Sequence, residues 1–175
     1  MDLLFKPRTF KELIEADLRR AARLIVEVQD EVDPQLRIAT PEGDYWLAVT
    51  LPTDDAGREA MLHRLKLFMA WKQAAAFTFA SELNEPDCVF ALGVSFTEVH
   101  ACIAAVRRAP RPWDASSFGA VEWLDRQSVG NEMIGLLPRG AHTMTNQEIS
   151  MLESWFGSAG RFPAVHIPSG EVRGI

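Results

Sequence analysis

The chain has 175 residues, 47% of them hydrophobic and 24% charged, with a formal net charge of −6 at pH 7. At about 150 residues per domain this favours one domain, and its near-average composition argues against disordered, collagen-like and disulfide-scaffold classes. The acidic balance argues against a protein whose main business is holding nucleic acid, because phosphate contacts supply most non-specific affinity.

The amino terminus, Met1 to Pro7, lacks a basic segment followed by a long apolar run, so it does not read as a signal peptide. Thr9 and Glu12 then have capping-box spacing. Behind them Phe10, Leu13, Ile14, Leu18, Ala21, Ile25 and Val28 recur at steps of three and four, the stripe of an amphipathic helix. Lys11–Glu15 and Glu15–Arg19 place opposite charges one turn apart on its outer face. Asp33-Pro34 is the expected stop, since proline disfavours helical dihedrals in the residue before it.

Arg37–Thr40 reads as a short strand, Pro41-Glu42-Gly43 as a turn, and Asp44–Leu51 as a strand with Tyr45, Leu47, Val49 and Leu51 on one face. Thr53-Asp54-Asp55 opens a second helix to about Gln73, expected to be buried on several sides because its apolar residues occupy more than one face. Ala75–Glu82 and Cys88–Val94 read as strands joined by a loop over Leu83–Asp87. Glu98–Arg108 can alternate as a strand, but a Ser95-x-x-Glu98 capping box, its alanines and a terminal Pro110 favour a helix. Phe118–Leu124 reads as a strand, while Glu132–Leu137 is open between helix and strand. Thr145 and Glu148 form another capping box, with Met144 and Ile149 placed as its hydrophobic staple, and Gly157 ends that helix. Phe162–Ile167 reads as an edge strand, because Pro163 cannot donate to a central ladder.

From Asp44 to Leu124 this order is strand–helix–strand–strand–helix–strand, so the expected fold is α+β with a ferredoxin-like (βαββαβ) antiparallel sheet in a single domain. Residues 1–34 would supply an N-terminal helix, 44–124 the sheet-and-helix core, 125–167 a C-terminal helix and edge strand, and 168–175 a tail.

Candidate chemistry is sparse. Ser95 lies in Gly93-Val94-Ser95-Phe96-Thr97, which approaches the G-x-S-x-G nucleophile elbow but has threonine in place of the last glycine. Asp114, Asp125, His142 and His166 follow it. Capping of the next helix explains Ser95 more simply. His100 and Cys102 are two apart, and Cys88 is the other thiol. If Phe96-Thr97 were a two-residue hairpin loop, paired residue numbers would sum to 193. Cys102 would then face Ala91, with Cys88 on the opposite side of the sheet. His63 has Glu59 one turn before it on the second helix, an ordinary ion-pair spacing. Arg107, Arg108 and Arg111, beside Pro110, Pro112 and Trp113, form the most basic stretch, expected as a solvated helix end. Gly157–Arg161 resembles an anion cradle but follows a helix rather than preceding one. Phe77, Phe79 and Phe90 read as core rather than as a base-stacking platform.

No catalytic, cofactor-binding or metal residue is therefore assigned. The expected function is a non-catalytic binding or protein-interaction module, with an unknown small ligand or protein partner. The five tryptophans suggest a homodimer interface. A small enzyme with a site assembled from distant segments is the alternative, and nucleic-acid binding comes third. Two cysteines and the absence of a long apolar run point to a soluble cytoplasmic protein.

Overall fold

The computed structural model describes residues 9–28, 33–84, 87–108, 111 and 116–169. Its elements, in chain order, are α1 (Phe10–Val28), β1 (Gln35–Thr40), β2 (Gly43–Ala48), α2 (Asp55–Trp71), β3 (Ala76–Asn84), β4 (Asp87–Ser95) and β5 (Val99–Arg107). After these come β6 (Ser117–Phe118), β7 (Glu122–Leu124), a single 3-10 turn at Arg126–Ser128, α3 (Asn131–Ile134), α4 (Asn146–Phe156) and β8 (Val165–Pro168).

The eight strands form one antiparallel sheet in the order β6-β5-β4-β3-β1-β2-β8, with β7 also pairing with β5. This corrects the ferredoxin-like expectation. Only α2 crosses over within the proposed core, carrying the chain from β2 to β3 with β1 between them. The second crossover is absent because residues 99–107 are strand β5, and β3, β4 and β5 run as a meander.

The misreading of β5 has a local cause. Ser95 Oγ accepts from Glu98 N at 2.9 Å and Thr97 N at 3.3 Å, the same chemistry as a helix cap, but it closes a two-residue hairpin loop. Ser95 N donates to Glu98 O at 2.8 Å, and the register runs on to Ala91 opposite Cys102, as the hairpin arithmetic requires. Of the alanines of β5, Ala104 lies beneath α1 and Ala101 packs into the core on the opposite face, so tertiary packing overrides their helical propensity. The strand expected over Phe118–Leu124 is likewise split into the short β6 and β7.

One face of the sheet is covered by α1. Its Ile14, Leu18, Ala21, Ala22 and Ile25 pack with Ala80, Val89, Ala91, Cys102, Ala104 and Val106. Small residues on both sides bring helix and strands close. At Gly93 the approach leaves no room for a side chain: a Cβ there would fall 2.3 Å from Ile14 Cδ1. The predicted capping box is formed, with Thr9 N donating to Glu12 Oε2 at 3.1 Å and Glu12 N to Thr9 Oγ1 at 3.2 Å. The predicted Glu15–Arg19 pair is also made, at 2.8 Å. The described part of this helix runs to Val28, and residues 29–32, which lead to the expected stop at Asp33-Pro34, lie outside the described residues.

The other face carries the larger core. Leu36, Ile38, Tyr45, Leu47, Phe77, Leu92 and Val94 from the sheet meet Met61, Leu65, Phe68 and Met69 of α2 and Leu152 and Phe156 of α4. Helix α2 is fully buried along one face and half-buried on its flanks, with His63 and Lys66 exposed. It is therefore a covering helix rather than one enclosed on several sides. Helix α4 has its capping box in place, and Glu132–Leu137 resolves into the single turn α3 and a following turn. Among the described residues, no helix is long and apolar enough to cross a membrane.

The contact of α1 with the sheet also holds a polar cluster. Asp17, 4% exposed, accepts from Thr78 Oγ1 at 2.6 Å and lies 3.5 Å from Arg37, which also pairs with Asp44 at 2.7 Å. Burial pushes the Asp17 carboxyl above its ordinary 3.8, against the opposing pull of Arg37, Thr78 and Arg20. A raised native value means that the folded state holds this proton more tightly than the unfolded one. The group's contribution is therefore complete below pH 3.8 and is lost as pH rises through the folded value. Urea unfolding of the wild type and of Asp17→Asn should show the wild-type advantage shrinking as pH rises above 3.8. A difference independent of pH would show that Asp17 titrates alike in both states.

Candidate functional site

The structure does not assemble the candidate nucleophile with a base. Ser95 sits at the β4–β5 hairpin, its Oγ engaged by the turn. His142 lies before α4, 3.3 Å from Glu148, whose carboxyl is held low chiefly by the backbone N–H of Thr145. His166 is on β8, stacked on Tyr45 with ring centroids 4.6 Å apart, its Nε2 3.3 Å from Glu42 O. Asp125 precedes the 3-10 turn, and Asp114 lies outside the described residues. Among the described residues, no hydrogen bond or ion pair joins Ser95 to a histidine or carboxylate side chain.

The two thiols are buried on opposite sides of the sheet, Cys102 toward α1 and Cys88 away from it. Burial pushes the Cys102 thiol up to about 12, and burial followed by Asp87 raises Cys88, so neither is a ready thiolate. His100 shares the α1 face with Cys102 but turns its Nε2 to Glu98, at 3.4 Å. No group of three potential metal ligands occurs among the described residues.

The arginine stretch stands at the end of β5, not at a helix end as expected. Arg108 pairs with Glu82 and with Asp87, which neutralises it. Residues Pro110, Pro112 and Trp113 lie outside the described ones. Phe77 is 1% exposed, and Phe79 and Phe90 pack against the same core, so the sheet offers no ring platform there.

Each described tryptophan carries a cation from its own chain. Arg20 lies 3.6 Å and Arg37 4.9 Å over Trp46, Lys72 3.7 Å over Trp71, and Lys11 5.0 Å over Trp123. Arg64 lies 4.0 Å and Arg161 5.1 Å over Trp155. Ring faces are negative, so such contacts hold amphipathic side chains in place without a carboxylate.

A cavity of about 460 Å³ opens between the C-terminal ends of α2 and α4. Four rings wall it: Tyr45 from β2, Phe68 and Trp71 from α2, and Phe156 from α4. Phe68 is edge-on to Tyr45 and Trp71, with centroids at 5.6 and 6.2 Å, and tilted against Phe156 at 5.0 Å. Burial, then the neighbouring Glu42, raises the Tyr45 hydroxyl above its ordinary 10, keeping it neutral.

Lys72 and Glu153 supply the charge, and residues 157–159 of the once-suspected anion loop complete the wall. That loop is held against α4 by Phe162 N to Trp155 O at 2.7 Å and Ala164 N to Phe156 O at 3.0 Å. Lys72 is fixed from the backbone. Helix α2 closes in a Schellman turn, with Ala74 N donating to Met69 O at 2.9 Å and Gln73 N to Ala70 O at 3.2 Å. Gln73 takes the left-handed position at φ 55°, a place usually given to glycine.

Sequence reasoning missed this site because its rings follow core periodicity and its two charges lie 81 positions apart. The local signal was Trp71-Lys72 at a helix end. The chain matches no family model, no curated protein and no solved structure.

Ser95→Ala removes the oxygen that two hairpin amides use and should lower stability by about 1 kcal/mol in urea unfolding. Any esterase turnover of the purified protein should be unchanged by it. Loss of such turnover, with stability intact, would restore Ser95 as a nucleophile.

Proposed function

We propose that the protein is a binding module that takes a small organic ligand in the cleft between α2 and α4. The ring-walled cavity carries this reading. At about 460 Å³ it falls within the roughly 300–1,000 Å³ of small-molecule sites, which typically have apolar walls and a few placed polar groups. Here those groups are Lys72 and Glu153. Amide and indole spectra of isotope-labelled protein, recorded against a fragment library, should show Trp71, Lys72, Ala159 and Ala164 shifting together. Ala164→Trp, which fills the cleft, should abolish those shifts. Perturbations that avoid these residues would sink the cleft as the binding site.

Two buried free thiols on opposite sides of the sheet suit a reducing compartment, so we place the protein in the cytoplasm. We also propose a homodimer formed along β8. Among the described residues this is an edge strand with no strand on its outer side, and its Val165 is 61% exposed. The described tryptophans, each engaged by its own cation, are not needed for that contact. Sedimentation should show a concentration-dependent dimer that Val165→Lys dissociates. A monomer at every accessible concentration would remove the proposal.

A further inference from the structure

Lys72 and Glu153 both line the cleft, yet they are not within ion-pair distance of each other, nor is either joined to any other opposite charge among the described residues. The Lys72 ammonium instead stands over ring faces, 3.7 Å from the Trp71 centroid and 5.3 Å from that of Tyr45. A ligand that carried only a negative end would leave Glu153 facing it unbalanced. One that carried only a positive end would meet Lys72.

The helix ends sharpen the polarity. Glu153 sits one turn before the C-terminus of α4, where the carbonyls add negative partial charge, so that side of the cleft suits a cation. Lys72 is the C-cap of α2, and its ammonium, with no carboxylate within ion-pair distance among the described residues, is the place for an anion. Between them lie Phe68 and Phe156, each 2% exposed, with the flanking faces of Tyr45 and Trp71. Such walls suit a flat apolar group, since aromatic pairs in offset or edge-on contact add to the burial of apolar area.

On the reading that the cleft is the binding site, we infer that its ligand is a small zwitterion with an aromatic or similar apolar body, in the class of the free aromatic amino acids. The carboxylate bonds to Lys72, the ammonium to Glu153, and the ring rests in the cleft against the wall formed by Tyr45, Trp71 and the outer edges of Phe68 and Phe156.

L-Phenylalanine, N-acetyl-L-phenylalanine and L-phenylalaninamide separate the two charges and serve as probes, read by titrating the Trp71 and Ala159 signals. Charge-assisted bonds of this kind change affinity by about tenfold or more, so each capped probe should bind at least about tenfold more weakly than phenylalanine. Lys72→Met should weaken phenylalanine and leave the amide unaffected; Glu153→Gln should weaken phenylalanine and leave the N-acetyl form unaffected. Both variants are checked for a native spectrum. Capped probes that bind the cleft as well as phenylalanine overturn the zwitterion, while the cleft remains a ligand site. If none of the three moves the cleft signals but library fragments do, the zwitterion is likewise overturned. If neither probes nor fragments move them, the binding site itself falls with it.

Discussion

Strand β4 has apolar neighbours on both of its faces, and the rest of the architecture follows from that constraint. Val89 and Ala91 look toward α1, whereas Leu92 and Val94 look toward α2 and α4. A strand buried on both sides must be covered on both sides, which turns a strand meander into three layers. The covers differ in kind. On one side the strands present alanine, cysteine and glycine, so a single helix sinks close, with Ile14 filling the space left at Gly93. On the other they present large side chains, and two helices with the turns around Val129 and Leu136 are needed to enclose them. A residue larger than glycine at position 93 would push α1 outward and loosen Leu18 and Ile25 with it.

Where local chemistry and tertiary fate agree, the elements are legible in the chain. Thr9 with Glu12 and Thr145 with Glu148 announce helices and form the capping boxes expected of them. Tyr45, Leu47 and Val49 alternate and bury one face. The failure at β5 has a definite physical origin. A serine that accepts from the amide three residues on looks the same in sequence whether it opens a helix or closes a hairpin, and small residues suit both a helix interior and the floor beneath a helix. That one reversal removed a crossover and with it the ferredoxin-like fold. The alternation of Val99, Ala101 and Ile103 was the competing signal, and the two-residue loop it implied reproduces the observed register. Asp17 was hidden for another reason. It stands on the inner side of α1 among apolar residues, and only the strand neighbours Thr78 and Arg37 explain its tolerance there.

The cleft belongs to a class of site that leaves little trace in sequence, because its walls are made of the same residues as the core. Tyr45 and Phe68 serve both: their inner edges pack the sheet against α2, and their outer surfaces bound the cavity. The tryptophans show the complementary arrangement. By drawing arginines and lysines over their faces, they let long cationic side chains cover apolar surface, with the Arg20 and Arg64 guanidinium groups themselves partly buried against the rings. For Trp46 this covering takes the place of a helix, since Arg20 and Arg37 roof the part of the sheet that α1 does not reach.

The pairing of β2 with β8 has a kinetic side. His166 reaches back to Glu42, 124 positions earlier in the chain, whereas β3, β4 and β5 meet through tight hairpins. Closing a long loop costs more chain entropy than closing a hairpin, though the cost grows only with the logarithm of its length. Gly43 adds a steric condition: its φ of 133° and the approach of the Ile167 carbonyl leave no place for a Cβ, so a glycine here is what lets β8 lie close against the β1–β2 turn. The β8 strand that backs Tyr45 is thus the most non-local part of the sheet, and the cleft that Tyr45 walls leans on a contact between distant stretches of the chain.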